Sequence, residues 1–127
     1  MKIKFFLALL YFFITAHLFG ATILAGKGQK IPSLRKAIEL ARVGDTIYLR
    51  PGVYREGSLI INKTLTILGV GFPLLDGENK YEIILISANN VMISGIRFYR
   101  SGYSAMNDYA AIKVIDTDLV TISNNQI

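Results

Sequence analysis

Apolar residues along the chain follow two periods, and the change between them falls at Gly44. Before it, Leu34, Ala37, Ile38 and Ala41 occupy the i, i+3, i+4, i+7 positions of one helical stripe, which predicts a helix over Ile31–Arg42. Pro32 suits its first turn, Ser33 is the N-cap candidate, and Gly44 stands where a left-handed cap residue would follow. After Gly44 the period is two. Ile47–Leu49, Leu59–Ile61, Leu65–Leu68, Ile83–Ile86, Val91–Phe98, Ile112–Ile115 and Val120–Ile122 read as short strands. Pro51-Gly52, Asn62-Lys63, Gly69–Gly71, Asp76-Gly77 and Asn89-Asn90 supply turn chemistry between them.

The strands also recur. IILISANNVMI at Ile83–Ile93 returns as IKVIDTDLVTI at Ile112–Ile122, 29 positions on, and LTILG at Leu65–Gly69 returns as VMISG at Val91–Gly95, 26 positions on. A strand–turn–strand recurrence at 20–30 residues marks stacked repeats, each burying its apolar face on the next. With no helical pattern between the strands, the fold class is all-β: a parallel β-helix, or solenoid, with the helix capping its first coil. A β-sandwich also has many short strands but does not explain a fixed offset. The offset pairs Asn89 and Asn90 with Asp118 and Leu119, and Asn124 and Asn125 follow the last strand; asparagine suits the left-handed corners between sheets. The chain stops at Ile127 inside a strand pattern, so it is expected to be the N-terminal piece of a longer solenoid.

The N-terminus reads differently. Two lysines in Met1–Lys4, the apolar run Phe5–Ile14 and small residues at Gly20-Ala21 have the layout of a cleaved secretory signal, shorter than the roughly 20 apolar residues of a membrane span. The expected organisation is a signal at 1–21, an N-terminal segment with the capping helix at 22–44, and coils from 45 to 127. The chain is therefore expected to be exported. No cysteine is present, so packing must supply stability without disulfides. Twelve lysines and arginines (fourteen less Lys2 and Lys4) oppose nine acids, and the basic residues are scattered, which argues against a nucleic-acid partner.

Candidate chemistry is sparse. Glycoside hydrolysis needs two carboxylates across a sugar, and Asp76, Asp108, Asp116 and Asp118 are the obvious acids of the strand region. Asp76 reads as a turn residue, and Asp116 and Asp118 as solvated corner residues too few for calcium. The one histidine, His17, falls in the signal, which disfavours imidazole-bound metals. Soft copper(I) accepts thioether sulfur, and Met106, in the polar loop SGYSAMNDYAA, is the better candidate than Met92, which lies on the outward phase of its strand. Tyr54, Tyr81, Tyr99, Tyr103 and Tyr109 are either sugar-stacking platforms or ordinary strand residues.

SLRKAIELARVGDTIYLRPGVYREGSLIINKTLTILG, Ser33–Gly69, resembles the opening of the pectin-lyase-like right-handed β-helix superfamily: a helix, Gly-Asp-Thr-Ile, Pro-Gly-x-Tyr, then a lysine and Leu-Thr-Ile-x-Gly. The remainder resembles the NosD family, in the Asp76-Gly77 turn, the Val91-x-Ile93-x-Gly95 strand, Ser101-Gly102, and Ala111-Ile112 before the next coil. The resemblance implies a right-handed, single-stranded parallel β-helix and an exported, periplasmic, non-enzymatic accessory protein. Its cargo would be copper, its partners an ABC transporter and the maturation proteins of nitrous oxide reductase. No ligand set carries over, and Met106 is the one metal candidate. GVYREGSLIINKTLTILG also resembles the start of pectin methylesterases, so the rival class is a polysaccharide lyase, esterase or epimerase, although no catalytic acid can be matched. A passive carbohydrate-binding or surface β-helix is the third reading. The repeat leaves Tyr99–Ala110 unexplained, an irregular insertion between matched coils.

Overall fold

A computed structural model describes residues 20–106 and 109–127. The expected signal lies almost wholly outside these residues, as do His17 and Asp108. The order of elements is β1 (Thr22–Ala25), α1 (Leu34–Leu40), β2 (Thr46–Leu49), β3 (Val53–Tyr54), β4 (Leu59–Ile61), β5 (Thr66–Gly69), β6 (Leu74–Asp76), β7 (Ile84–Ile86), β8 (Val91–Ser94), β9 (Arg97–Tyr99), β10 (Ile112–Val114) and β11 (Val120–Ser123). The strands form three sheets: sheet A in the order β1-β2-β5-β8-β11, sheet B in the order β3-β6-β9, and sheet C in the order β4-β7-β10. Each pairing between these strands is parallel, so the described fold is all-β with one short helix. Among the described residues no helix is long and apolar enough to cross a membrane.

Period-two patterning explains the core directly. Alternate side chains of a strand face opposite sides, and parallel register stacks like on like. In sheet A the inward positions form one isoleucine ladder, Ile23–Ile47–Ile67–Ile93–Ile122. Sheet C contributes Leu59–Ile84–Ile112 and Ile61–Ile86–Val114, and sheet B contributes Tyr54–Leu75–Phe98. The middle members of these ladders are fully buried, each gaining roughly 1.5–3 kcal/mol from burial. Ile122, on the last described strand of sheet A, packs on one side only and stays 45% exposed.

The helix is shorter than its stripe predicts. Ile31 forms a bridge with Ala25, so Pro32 precedes the helix and Ser33 is the N-cap, its Oγ accepting from the Lys36 N–H at 3.1 Å. Helical backbone ends at Leu40 because Ala41 turns extended; Gly44 is left-handed, but it serves the loop into β2. Residues of later strand connections hold both helix ends. Glu56 accepts from the Leu34 and Arg35 N–H groups at 3.0 and 2.9 Å, and Lys63 donates to the Ala41 carbonyl at 2.6 Å. These bonds satisfy groups that a helix end leaves without partners. Leu34, Ala37 and Ile38 are buried, and α1 packs against β1 and β2.

Two expectations about the strands need correction. Val91–Phe98 is two strands in two sheets, β8 in A and β9 in B, because the chain turns at Gly95. Gly95 has φ +76°, and a β-carbon there would come within 2.7 Å of the Gly69 carbonyl oxygen. The 29-residue offset is also not constant. It holds in sheet A, where Val120 pairs with Val91, but in sheet C Ile112 pairs with Ile84, an offset of 28 (112 − 84). The corner after β10 holds one residue more than the corner after β7 and absorbs the difference.

That corner keeps its backbone shape all the same: Asn90 and Leu119, paired by the offset, both have φ 56°. Asparagine tolerates this region, whereas an aliphatic side chain there carries a cost of about 1–2 kcal/mol. Leu119 is 75% exposed and recovers little by packing. Leu119→Asn is therefore expected to stabilise the protein by about 0.5–1 kcal/mol, read as a higher urea midpoint. A lower midpoint would show that the leucine side chain matters more than the backbone.

Candidate functional site

The insertion that the repeat leaves unexplained springs from a corner with its own chemistry. Asp76 ends β6, and its Oδ1 accepts from the Glu78 N–H at 2.9 Å and from Arg100 Nε at 3.0 Å, while Oδ2 pairs with Arg100 Nη2. The Asp76 side chain is 5% exposed and that of Arg100 39%. The Arg100 guanidinium bond holds the Asp76 carboxyl below its ordinary value of 3.8; burial opposes this, and the Glu78 N–H and the charges of Arg100 and Arg55 add to it. The same bond pushes Arg100 further up. Arg100 also lies over the Tyr99 ring, 5.2 Å from its centroid.

Main-chain bonds lock two corners together here. The Gly77 N–H donates to the Tyr99 carbonyl, Asn79 to the Arg100 carbonyl, and Gly102 to the Tyr81 carbonyl, at 2.9, 2.9 and 2.7 Å. At Gly77 a β-carbon would approach the Arg100 oxygen to 2.6 Å, which explains the glycine of the Asp-Gly turn. The far end of the insertion is tied as well: the Ala110 and Ala111 carbonyls accept from the Ile83 and Ile84 N–H groups. Between these anchors Tyr103 is 89% exposed and Met106 93%.

Met106 is thus an outward thioether on a loop, its N–H donating to Ser104 Oγ at 3.1 Å. The other described methionine, Met92, faces outward from β8 in sheet A. Among the described residues no group of three or more His, Cys, Asp or Glu side chains could hold a metal ion. Copper(I) prefers several soft donors, and the two described methionines lie on separate elements, Met92 on β8 and Met106 in the insertion.

The acids are distributed. Asp116, left-handed at φ 46°, and Asp118, whose N–H donates to Asn89 Oδ1 at 2.8 Å, are exposed at the corner after β10, whereas Asp76 lies under Arg100 at the end of β6. Asp45 escaped the reading of the sequence as a buried acid. Its carboxylate accepts from the Ala21 and Arg42 N–H groups at 2.7 and 2.8 Å, fastening β1 and the helix exit to β2. The Gly-Asp-Thr-Ile motif was the available signal. Tyr54 belongs to the core, its hydroxyl donating to the Arg50 carbonyl at 2.7 Å, and burial pushes its pKa up. Tyr81, Tyr99, Tyr103 and Tyr109 are exposed.

Two of the clefts among the described residues lie elsewhere. One, between α1 and β4, is lined by Arg35, Ile38, Glu39, Ser58, Leu59 and Ile60. The other runs over the outer face of sheet A past Thr66, Met92 and Thr121. Neither contains two carboxylates. No protein-family model, curated protein or solved structure matches the chain.

Proposed function

We propose that the three sheets are the faces of a right-handed parallel β-helix closed at its N-terminal end by α1, and that the chain is an exported, non-enzymatic scaffold of the NosD type. Right-handedness is supported by the crossover rule for parallel strands, which runs at about 98%. In this reading the protein works in the periplasm with an ABC transporter and assists copper delivery to nitrous oxide reductase. Copper is cargo, and Met106 offers one soft donor while a partner supplies the others. The observation that carries the scaffold reading is the employment of the two buried acids. Asp45 and Asp76 hold backbone and Arg100, so their oxygens serve the fold. The exposed tyrosines beside the insertion favour a second reading, a carbohydrate-binding β-helix without turnover.

Deleting the protein from cells that make nitrous oxide reductase is expected to leave the reductase short of copper, read from its visible absorption and metal content. Met106→Ala is expected to lower the copper loading of the reductase in those cells. Full copper loading in the deletion strain would reject the copper reading. Turnover of uronate polymers by the purified protein would reject the non-enzymatic one.

A further inference from the structure

The six described asparagines sit at corners, and the structure gives a reason for five of them. Asn79, Asn90 and Asn124 take left-handed backbone, with φ 59°, 56° and 52°. Asn89 Oδ1 caps the Asp118 N–H. Asn125 is bonded at both ends of its amide, accepting from the Ile96 N–H at 2.9 Å and donating to the Ile93 carbonyl at 3.0 Å. Asn62 is different. It is exposed at the turn from β4 into β5, outside the left-handed region, and makes no side-chain hydrogen bond with other described residues. Its neighbours are engaged instead: Lys63 reaches the Ala41 carbonyl, and Thr64 Oγ1 donates to the Asn89 carbonyl at 2.7 Å.

Asn62 is also the asparagine followed at the second position by a hydroxyl. Asn62-Lys63-Thr64 is an Asn-x-Thr acceptor sequence with no proline at its centre, and Asn79, Asn89, Asn90, Asn107, Asn124 and Asn125 all lack Ser or Thr at that place. The one described asparagine without a structural reason therefore coincides with the one acceptor sequence. We propose that Asn62 is a site of N-linked glycosylation, modified as the chain is exported. Nδ2 forms a bond to the anomeric carbon of an oligosaccharide carried on a polyprenyl pyrophosphate. The bond from that carbon to the pyrophosphate oxygen breaks, the lipid pyrophosphate leaves, and the amide proton passes to a base of the transferase. Timing favours the reaction. The Thr64–Asn89 bond spans 25 residues, so the Thr64 hydroxyl is free until the next coil has formed. A glycan at the turn would project from the surface without disturbing the inward ladders.

The inference rests on export and is independent of copper. Its test is peptide mapping by mass spectrometry of the protein recovered from the cells that make it. The tryptic peptide Glu56–Lys63 is expected to carry an oligosaccharide mass. That mass should vanish in Asn62→Gln and Thr64→Val and survive in Thr64→Ser and Asn89→Gln. A processed N-terminus with an unmodified Glu56–Lys63 peptide would overturn glycosylation and leave export standing. An N-terminus still at Met1 with an unmodified peptide would overturn both. A glycan retained in Thr64→Val would reject the acceptor sequence as its cause.

Discussion

Replacing Ile67 with alanine is expected to destabilise the protein by about 2–5 kcal/mol, the range for removing most of a buried isoleucine. Ile67 is fully buried at the centre of the sheet A ladder, between Ile47 and Ile93, which are fully buried too. Parallel strands on both sides fix the spacing of its neighbours, so the cavity cannot close by sliding one strand toward another. Ile67→Val removes one methylene and should cost about 0.5–1.5 kcal/mol. Ile122→Ala makes the same truncation as Ile67→Ala on the last described strand of sheet A, where the side chain is 45% exposed, and should cost under about 1.5 kcal/mol. Urea midpoints at unchanged slope measure all three. Equal losses at Ile67 and Ile122 would mean that the ladder is not a shared interior.

How far the fold could be read from the sequence depends on how period two met the corners. Val91-x-Ile93 and Val120-x-Ile122 alternate cleanly, and their pairing at 29 positions is the register found in sheet A. The upstream echo at 26 is likewise the register of β8 on β5. β1 was missed, and β2, though read as a strand, fell outside the recurrence. β1, β2 and β5 are related by offsets of 24 and 20 (46 − 22 and 66 − 46), so no fixed period joins them to the later ones. A composition signal was available nonetheless: the pair Thr-Ile opens β1, β2 and β5 and recurs in β11, threonine outward and isoleucine inward. β3 and β6 are only two and three residues long, too short for alternation to register. Backbone geometry erased the boundary inside Val91–Phe98, since a glycine turn between two apolar runs reads as a continuous strand. At the candidate site, Asp76-Gly77 was legible as a turn. Its partner Arg100, 24 residues away, was not, because a pairing of this kind depends on which corners stack.

That pairing predicts a pH effect. Asp76→Ala leaves the Glu78 N–H and Arg100 without their acceptor and is expected to cost about 2–3 kcal/mol at neutral pH, less than for a wholly buried ion pair because water reaches half-exposed Arg100. Asp76→Asn keeps the size and one acceptor and should cost less. The native carboxyl titrates below its ordinary value of 3.8, so the folded state holds the ionised form more firmly than the unfolded chain does. The stability contributed by Asp76 is therefore complete above the ordinary carboxylate range. It declines as the pH falls through the ordinary value of 3.8 and is gone once the pH has passed the lower native value. Other carboxylates titrate in the same window, so the informative quantity is the difference in urea midpoint between the wild type and Asp76→Asn, followed from pH 7 to pH 3. That difference should stay constant down to about pH 5 and shrink below it. A gap that persists undiminished to pH 3 would mean that the pair with Arg100 contributes through shape rather than charge, and the corner beneath the insertion would then be held by its main-chain bonds.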